Sequence, residues 1–125
     1  MKSVTLEIKK KTRVCEQSLE SSGNVAVKKL LCFVFTGSRG GIRRIQIILQ
    51  LKQKSLNRHQ LSKSLEIEYK SVQQHIKILK KYDLITESEE RYGKKYFISS
   101  LLESNIMIFD EIAQKMEHYF IPNEN

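Results

Sequence analysis

The stretch YKSVQQHIKILKKYDLI, residues 69–85, decides the fold that this sequence predicts. At helical periodicity Val72, Ile76 and Leu79 form one apolar stripe, which is the expected core face of a helix. The remaining positions carry four lysines and no acid before Asp83. An acid-free cationic surface on an amphipathic helix is typical of a helix that contacts a polyanion.

A shorter helix is predicted just before this one, with a sharp start signal. Asn57 can cap it, Gln60 completes a capping box, and Leu56 and Leu61 have the spacing of a hydrophobic staple. The short helix should therefore begin at Arg58. The two helices together predict a helix-turn-helix, whose second helix fits the major groove of DNA.

Two β-rich runs follow the second helix, LITES at 84–88 and KKYFIS at 94–99, and EERYG separates them. This pattern predicts a β-hairpin, and a hairpin directly after a helix-turn-helix is a wing. Arg91, Lys94 and Lys95 should lie at or near its tip. Because three acids dilute this positive charge, we expect the wing to contact a polyanion more weakly than the helix does.

The segments before this motif are less regular. Residues 1–23 predict a tail that contains at most a short helix, and VAVKKLLCFVF at 25–35 fits either a buried helix or a strand. Gly37, Gly40 and Gly41 predict a tight turn with close helix packing, because their spacing does not fit a nucleotide-binding GxGxxG. The segment IRRIQIILQLK then predicts a helix.

A last helix is predicted over about residues 100–120, followed by a short tail at 121–125. Ser100 and Glu103 form its capping box, and its apolar residues fall into two adjacent stripes. One small domain seldom buries two stripes of a terminal helix, so we expect a partner chain to cover one of them. The expected dimer interface comprises Leu102, Ile106, Phe109, Ile112, Met116 and Phe120.

Composition restricts the class of protein. The 125 residues predict one small domain, over 24–120, and 40% apolar with 29% charged residues indicate a globular rather than a disordered chain. The net charge of +8 favours a polyanionic partner, although charge alone does not separate nucleic acid from an anionic membrane. Residues 1–56 hold twelve basic residues against three acids, whereas residues 100–125 hold one against five, so the C-terminal segment should face away from a polyanion.

Several kinds of site and segment are not predicted. The longest apolar run, LLCFVF, is far shorter than the roughly 18 residues that span a bilayer, so no membrane contact is expected. Cys15 and Cys32 lack a CxxC pattern and no apolar leader precedes them, which predicts a cytoplasmic protein with reduced thiols. His59 and His75 predict surface or phosphate-contacting residues, and no metal, cofactor or catalytic constellation is expected, so the protein should not be an enzyme.

Three segments together resemble archaeal winged-helix regulators of the ArsR-like superfamily: LLCFVFTGSRGGIRRIQII, LNRHQLSKSLEIEYKSVQQHIKILKKYDLI and YGKKYFIS, over roughly residues 30–100. The resemblance implies a homodimeric transcription regulator that binds operator-like DNA. Two departures stand out. Glu68 replaces the shorter capping side chain usual in such helices, and the cysteine pair of arsenic- and cadmium-sensing members is absent from residues 57–83.

The predicted fold is mainly α with a small β-hairpin (α+β), a winged helix-turn-helix with flanking N- and C-terminal helices. The predicted function is sequence-specific binding of double-stranded DNA by a homodimeric transcription regulator, with the helix of residues 69–82 in the major groove and the wing of residues 84–99 beside it. The alternatives are a winged-helix module that contacts an acidic protein of the transcription or assembly machinery, and a sequence-neutral chromatin protein. The expected DNA contacts are Arg58, His59, Tyr69, Lys70, Ser71, Gln73, Gln74, Lys77, Lys81, Arg91, Lys94 and Lys95.

Overall fold

The computed structural model describes residues 11–20 and 23–117 of the chain. They fall into two compact units, one made of the residues up to Ile42 together with those from Asn105 onward, and the other of Arg43–Ser104. The described helices are α1 (11–18), α2 (Val25–Cys32), α3 (Gly41–Gln53), α4 (Arg58–Leu65), α5 (Tyr69–Lys81), α6 (Ser100–Ser104) and α7 (Ile106–Lys115). The described strands are β1 (Leu56–Asn57), β2 (Ile85–Glu87) and β3 (Lys95–Ile98), and a π-helical turn spans Phe33–Gly37.

Helix α4 begins where its capping signal predicts. The Asn57 side chain accepts a hydrogen bond from the Gln60 backbone at 2.8 Å, and the Gln60 side chain accepts one from the Asn57 backbone at 2.8 Å. The helix ends at Glu66, which has a left-handed φ of 54°, and the Ile67 N–H donates back to the Ser62 carbonyl at 3.2 Å. This turn satisfies orphan carbonyls of α4 and directs the chain into α5.

Helix α5 buries the predicted stripe: Val72, Ile76 and Leu79 are almost completely inaccessible. Beyond the helix, Asp83 adopts a left-handed φ of 59° and the Leu84 N–H donates to the Leu79 carbonyl at 2.9 Å. The predicted helix-turn-helix is therefore confirmed, with α4 and α5 as its two helices.

The predicted wing is confirmed as an antiparallel hairpin of β2 and β3. A third strand, β1, pairs with the other edge of β3 and sets Leu56 opposite Tyr96. This strand was not predicted, because two residues are too few to show an alternating pattern. Leu56, Ile85 and Tyr96 are buried and anchor the sheet in the Arg43–Ser104 unit.

The single helix predicted over residues 100–120 is wrong, because Asn105 interrupts it with φ −121° and ψ 26°. The predicted cap at Ser100 is also displaced by one residue. It is the buried Ser99 whose Oγ accepts from the Leu102 N–H at 3.1 Å, while that hydroxyl donates to the Asp83 carbonyl at 2.7 Å. A tertiary contact with Asp83, just beyond the end of α5, thus determines which serine is the cap. Sequence spacing does not reveal this contact.

The segment that fitted either a helix or a strand is helical. Asn24 caps α2 through its side chain, which accepts from the Ala26 N–H at 2.7 Å. At its end α2 widens into the π-helical turn, where the Thr36 hydroxyl donates to the Cys32 carbonyl at 2.7 Å. A Cβ added at Gly41 would clash with the Phe35 backbone, so the predicted close packing of the glycine turn is confirmed.

The core of the first unit forms around an edge-to-face pair. The rings of Phe35 and Phe109 lie 5.1 Å apart at an interplanar angle of 70°. Leu31, Ile108 and Ile112 are buried in the same unit. Ile108, Phe109, Ile112 and Ala113, which come from both apolar stripes, are buried within a single chain, whereas Ile106 and Met116 are half-buried. The described part of this helix therefore leaves fewer apolar side chains for a partner chain than the sequence led us to expect.

Cys15 of α1 and Cys32 of α2 form a disulfide, with their Cα atoms 5.8 Å apart. The prediction of two reduced thiols is therefore wrong. The spacing of the two residues did not reveal the pair, because the helical contact between α1 and α2 is what brings them together.

Candidate nucleic-acid interface

The exposed face of α5 forms a hollow of about 500 Å³ together with the first residue of α4. Lys70, Gln73, Gln74 and Lys77 line it and are exposed, and Arg58 closes one side. No carboxylate belongs to its lining. The structure thus brings together five of the predicted DNA-contacting residues on one cationic and amide-bearing surface.

A second hollow, of about 520 Å³, lies between α4, α5 and the wing. Five predicted contacts line it: Arg58, His59, Tyr69, Arg91 and Lys94. Arg58 and Lys80 border both hollows, so the two form a continuous surface.

Arg58 is held in place at the junction of these hollows. Its Nε donates to the Tyr96 hydroxyl at 2.9 Å, and its guanidinium carbon lies 5.8 Å from the centre of the Tyr96 ring. Beside it, the rings of His59 and Tyr69 are 4.8 Å apart. Side chains that are already ordered lose less conformational entropy when they bind a ligand.

Glu87 of the wing reaches two lysines. Its carboxylate lies 2.8 Å from the Lys80 Nζ and 3.0 Å from the Lys94 Nζ. The hydrogen bond from Lys80, and then the one from Lys94, hold the pKa of Glu87 below its ordinary value. The wing is thereby tied to the end of α5, and part of its positive charge is neutralised.

Two residues of this surface were not among the expected DNA contacts. Lys80 is one of the four lysines of the cationic helix, and it follows Lys77 by three positions, a spacing that places both on one helical face. Tyr92 is 85% exposed next to Gly93, whose φ of 61° makes the turn at the wing tip. No pattern in the sequence distinguishes this tyrosine from the other residues of the hairpin loop.

The sequence predicted that His75 is a surface residue. The structure instead places it away from the solvent face of α5. It is half-buried on the inner side of α5, with its Nδ1 3.3 Å from Nη1 of the almost fully buried Arg44. Burial, and then the charges of Arg44 and Arg43, lower the pKa of His75. A neutral imidazole that accepts from Arg44 fits this geometry.

Three predicted contacts border neither hollow. Ser71 is half-buried, Lys95 is exposed on β3, and Lys81 is exposed with its Nζ 5.4 Å from the Tyr82 ring centre. The residues of the predicted dimer interface differ in burial. Leu102, Phe109 and Ile112 are buried within the chain, Ile106 and Met116 are half-buried, and Phe120 lies outside the described residues.

Within residues 11–20 and 23–117, no three His, Cys, Asp or Glu side chains come together in a group that could hold a metal ion. A helix with the length and apolar content needed to cross a membrane is likewise not found in that part of the chain.

Comparison with known proteins finds a family model that matches part of the Arg43–Ser104 unit. Residues 43–87 match the sequence profile described as bacterial regulatory protein, arsR family. A comparison with curated proteins gives no match.

Several solved structures have a similar fold. HlyU from Vibrio cholerae is 29% identical, with a TM-score of 0.50 over 58% of this chain and 77% of that chain. A MepR mutant from a multidrug-resistant S. aureus clinical isolate is 18% identical, with a TM-score of 0.51 over 98% of this chain and 81% of that chain. A second MepR mutant of S. aureus, bound to an oligodeoxyribonucleotide, is 14% identical, with a TM-score of 0.51 over 98% and 82%. At these identities the MepR structures support the winged helix-turn-helix fold alone.

Proposed function

Because residues 43–87 carry the helix-turn-helix of the arsR family of regulatory proteins, we propose that this chain is a transcription regulator that binds double-stranded DNA sequence-specifically as a homodimer. The observation that carries the proposal is the exposed surface of α5, where lysines and glutamines line one hollow with Arg58 and no carboxylate intervenes. Phosphates would experience an uninterrupted positive field there.

The side chains of α5 are suited to different parts of a DNA duplex. Gln73 and Gln74 can each pair bidentately with adenine at the floor of the major groove. Lys70 and Lys77, on the same face, supply point charges for phosphates on either side. Arg58, held by Tyr96, would contact the backbone next to the groove.

The wing would contribute a smaller contact. Arg91 and Tyr92 are exposed near its tip and Lys95 is exposed on β3, whereas Lys94 shares Glu87 with Lys80. A wing contact would therefore add affinity without much base preference.

Homodimerisation belongs to the same proposal, as do the archaeal origin implied by the resemblance and a cytoplasmic location. Among the described residues of the first unit, the large apolar side chains of Val25 and Met107 are strongly exposed. They are candidates for a contact with a second copy, in place of the buried residues of α7. A two-fold pair would set two α5 helices at successive major grooves, about 34 Å apart.

Two measurements test the proposal. Binding to random duplex should weaken steeply from about 50 to about 200 mM salt, and repeated selection from a random duplex pool should enrich a palindrome. Replacing Lys70 and Lys77 together by Gln should reduce affinity strongly. Replacing the exposed Lys54 and Lys63 by Gln gives the same net charge and should have little effect, because neither lines a hollow.

The alternatives give different results. A winged helix that contacts an acidic protein would bind random duplex poorly even at low salt. A sequence-neutral chromatin protein would bind every duplex alike and enrich no sequence. If both lysine pairs affect DNA binding equally, only net charge matters and the α5 assignment fails.

A further inference from the structure

The first unit contains a cleft that the DNA-binding surface does not use. It has a volume of about 650 Å³ and is formed by α1, the glycine turn after the π-helical segment, and α7. Its apolar lining comes from Val14, Phe35, Ile42, Ile112 and Met116. Small-molecule sites have volumes of about 300 to 1,000 Å³ and are mostly apolar with a few polar groups, which fits this cleft.

Two ammonium groups border the apolar surface. Lys11 of α1 and Lys115 of α7 both line the cleft and both are exposed, and no carboxylate is among the lining residues. The lining hydroxyls of Ser18, Thr36 and Ser38 already donate to backbone carbonyls of the same unit. Among the lining side chains, the two lysines are therefore the donors suited to an anion.

Covalent and packing contacts hold two walls of the cleft in place. Cys15 lines it and is bonded to the buried Cys32, which holds α1 against α2. The glycine turn on the other side is packed so closely that a Cβ at Gly41 has no space. A preformed cleft costs less free energy to occupy than one that has to be assembled.

We propose that this cleft binds a small amphipathic anion, a molecule with an apolar aliphatic or aromatic body and one carboxylate or sulfonate group. The apolar body would cover Val14, which is 64% exposed, and the charge would lie between Lys11 and Lys115. A second copy of the chain fits less well. Two copies related by a two-fold axis through this cleft would bring the same lysines towards each other.

The first test uses anilinonaphthalene sulfonate, whose fluorescence rises in an apolar site, with decanoate as competitor. The full chain should bind the probe, and decanoate should displace it. Val14→Glu should weaken the binding of the probe at least about tenfold, because it introduces a carboxylate beside the anion. Val25→Glu is the matched control. Val25 is also an exposed valine of this unit, at 69%, but it does not line the cleft, so binding should be unchanged.

The second test separates charge recognition from shape with an uncharged probe, phenylnaphthylamine. Lys115→Met keeps an unbranched apolar stem but removes the charge, so it should weaken the sulfonate probe several-fold and leave the neutral probe unchanged. Lys29→Met, at an exposed lysine outside the cleft, should change neither. The comparison of Lys115→Met with Lys29→Met remains informative if Val14→Glu does not fold.

Several results would overturn the proposal. They are an absence of probe binding by the wild type, equal effects of the cleft variants and their controls, or an equal loss of both probes in Lys115→Met. Sedimentation identifies the competing occupant: if Val14→Glu separates a wild-type dimer while Val25→Glu does not, and the probe does not bind, the cleft is an interface between copies. Because DNA binding is not a readout, the outcome is independent of the proposed regulator function.

Discussion

The contact between Arg44 and His75 joins the inner side of α5 to α3. Arg44 is only 1% exposed, and its Nη1 lies 3.3 Å from the His75 Nδ1. A helical-wheel argument places His75 near the polar surface, because it has no means to anticipate a buried arginine on another helix. A polar pair that only the tertiary structure reveals thus supports the inner side of α5.

This pair predicts a pH dependence of stability. Burial and the neighbouring guanidinium charges lower the pKa of His75 from 6.5, so the unfolded chain takes up a proton there at a pH where the folded chain does not. The stability contributed by the neutral imidazole is therefore present above about pH 6.5 and is lost as the pH falls towards the folded-state pKa. Wild-type protein should lose more unfolding free energy between about pH 7.5 and about pH 5.5 than His75→Gln does.

Urea denaturation at the two pH values measures the difference. His59→Gln, which changes an exposed histidine outside this pair, should keep the wild-type dependence. Identical pH profiles for wild type and His75→Gln would contradict a lowered pKa of His75 in the folded protein.

Gln74 and Lys77 are neighbours in one hollow but should have different roles in DNA binding. Gln74→Ala should relax base preference at about one position, where it costs roughly 1 to 3 kcal/mol. Lys77→Ala should weaken binding to all duplexes similarly and reduce the salt slope by about one. Fluorescence anisotropy on the selected duplex and on single-base variants distinguishes them. A uniform effect of both substitutions, without a change of preference, would contradict the assignment of Gln74 to base reading.

At the scale of elements, the sequence predicted best where a local signal is also the structural cause. The Asn57 and Gln60 box starts α4, and the stripe of Val72, Ile76 and Leu79 is the buried face of α5. Prediction failed where distant residues decide. Ser99 becomes the helix cap because its hydroxyl contacts the Asp83 carbonyl just beyond α5, and Leu56–Asn57 form a strand because they pair with β3.

The connection between α5 and the wing also depends on distant residues, through Glu87. Its two ion pairs are partly exposed and contribute little to stability. They nevertheless occupy Lys80 and Lys94, which would otherwise be available to phosphates. Glu87→Gln should therefore tighten binding to all duplexes a few-fold and steepen the salt dependence, by about one unit for each additional phosphate that a released lysine neutralises.

Glu89→Gln provides the control, since it removes the same charge from an exposed position of the wing that does not line the hollows. Binding titrations at several salt concentrations compare the two variants. An equal increase in affinity for both would attribute the effect to net charge, and an unchanged affinity for Glu87→Gln would mean that the released lysines do not reach DNA.

For the molecule as a whole, the sequence predicted the winged helix-turn-helix but not how its terminal segments are used. The two stripes of the last helix led to a dimer interface, yet the first unit buries Phe109 and Ile112 within one chain. A glutamate at either position would damage the core rather than separate two subunits. The reason for this difference is that periodicity shows which residues are buried, but not which segment buries them.

The disulfide between Cys15 and Cys32 leads to the last prediction, which concerns the stability of the protein. The bond joins residues 17 positions apart and ties α1 to a buried position of α2. Closing a loop of about this length stabilises a protein by about 3 kcal/mol, chiefly by restricting the unfolded chain. Treatment with dithiothreitol should therefore lower the unfolding free energy by about that amount. Cys15→Ser should be as unstable as the reduced wild type and insensitive to dithiothreitol, because the half-buried Cys15 is replaced without emptying the core. Urea denaturation of the oxidised, reduced and Cys15→Ser proteins measures all three unfolding free energies. Thiol titration verifies that dithiothreitol has reduced the bond, and an unchanged unfolding free energy after this reduction would contradict a stabilising role for the link between α1 and α2.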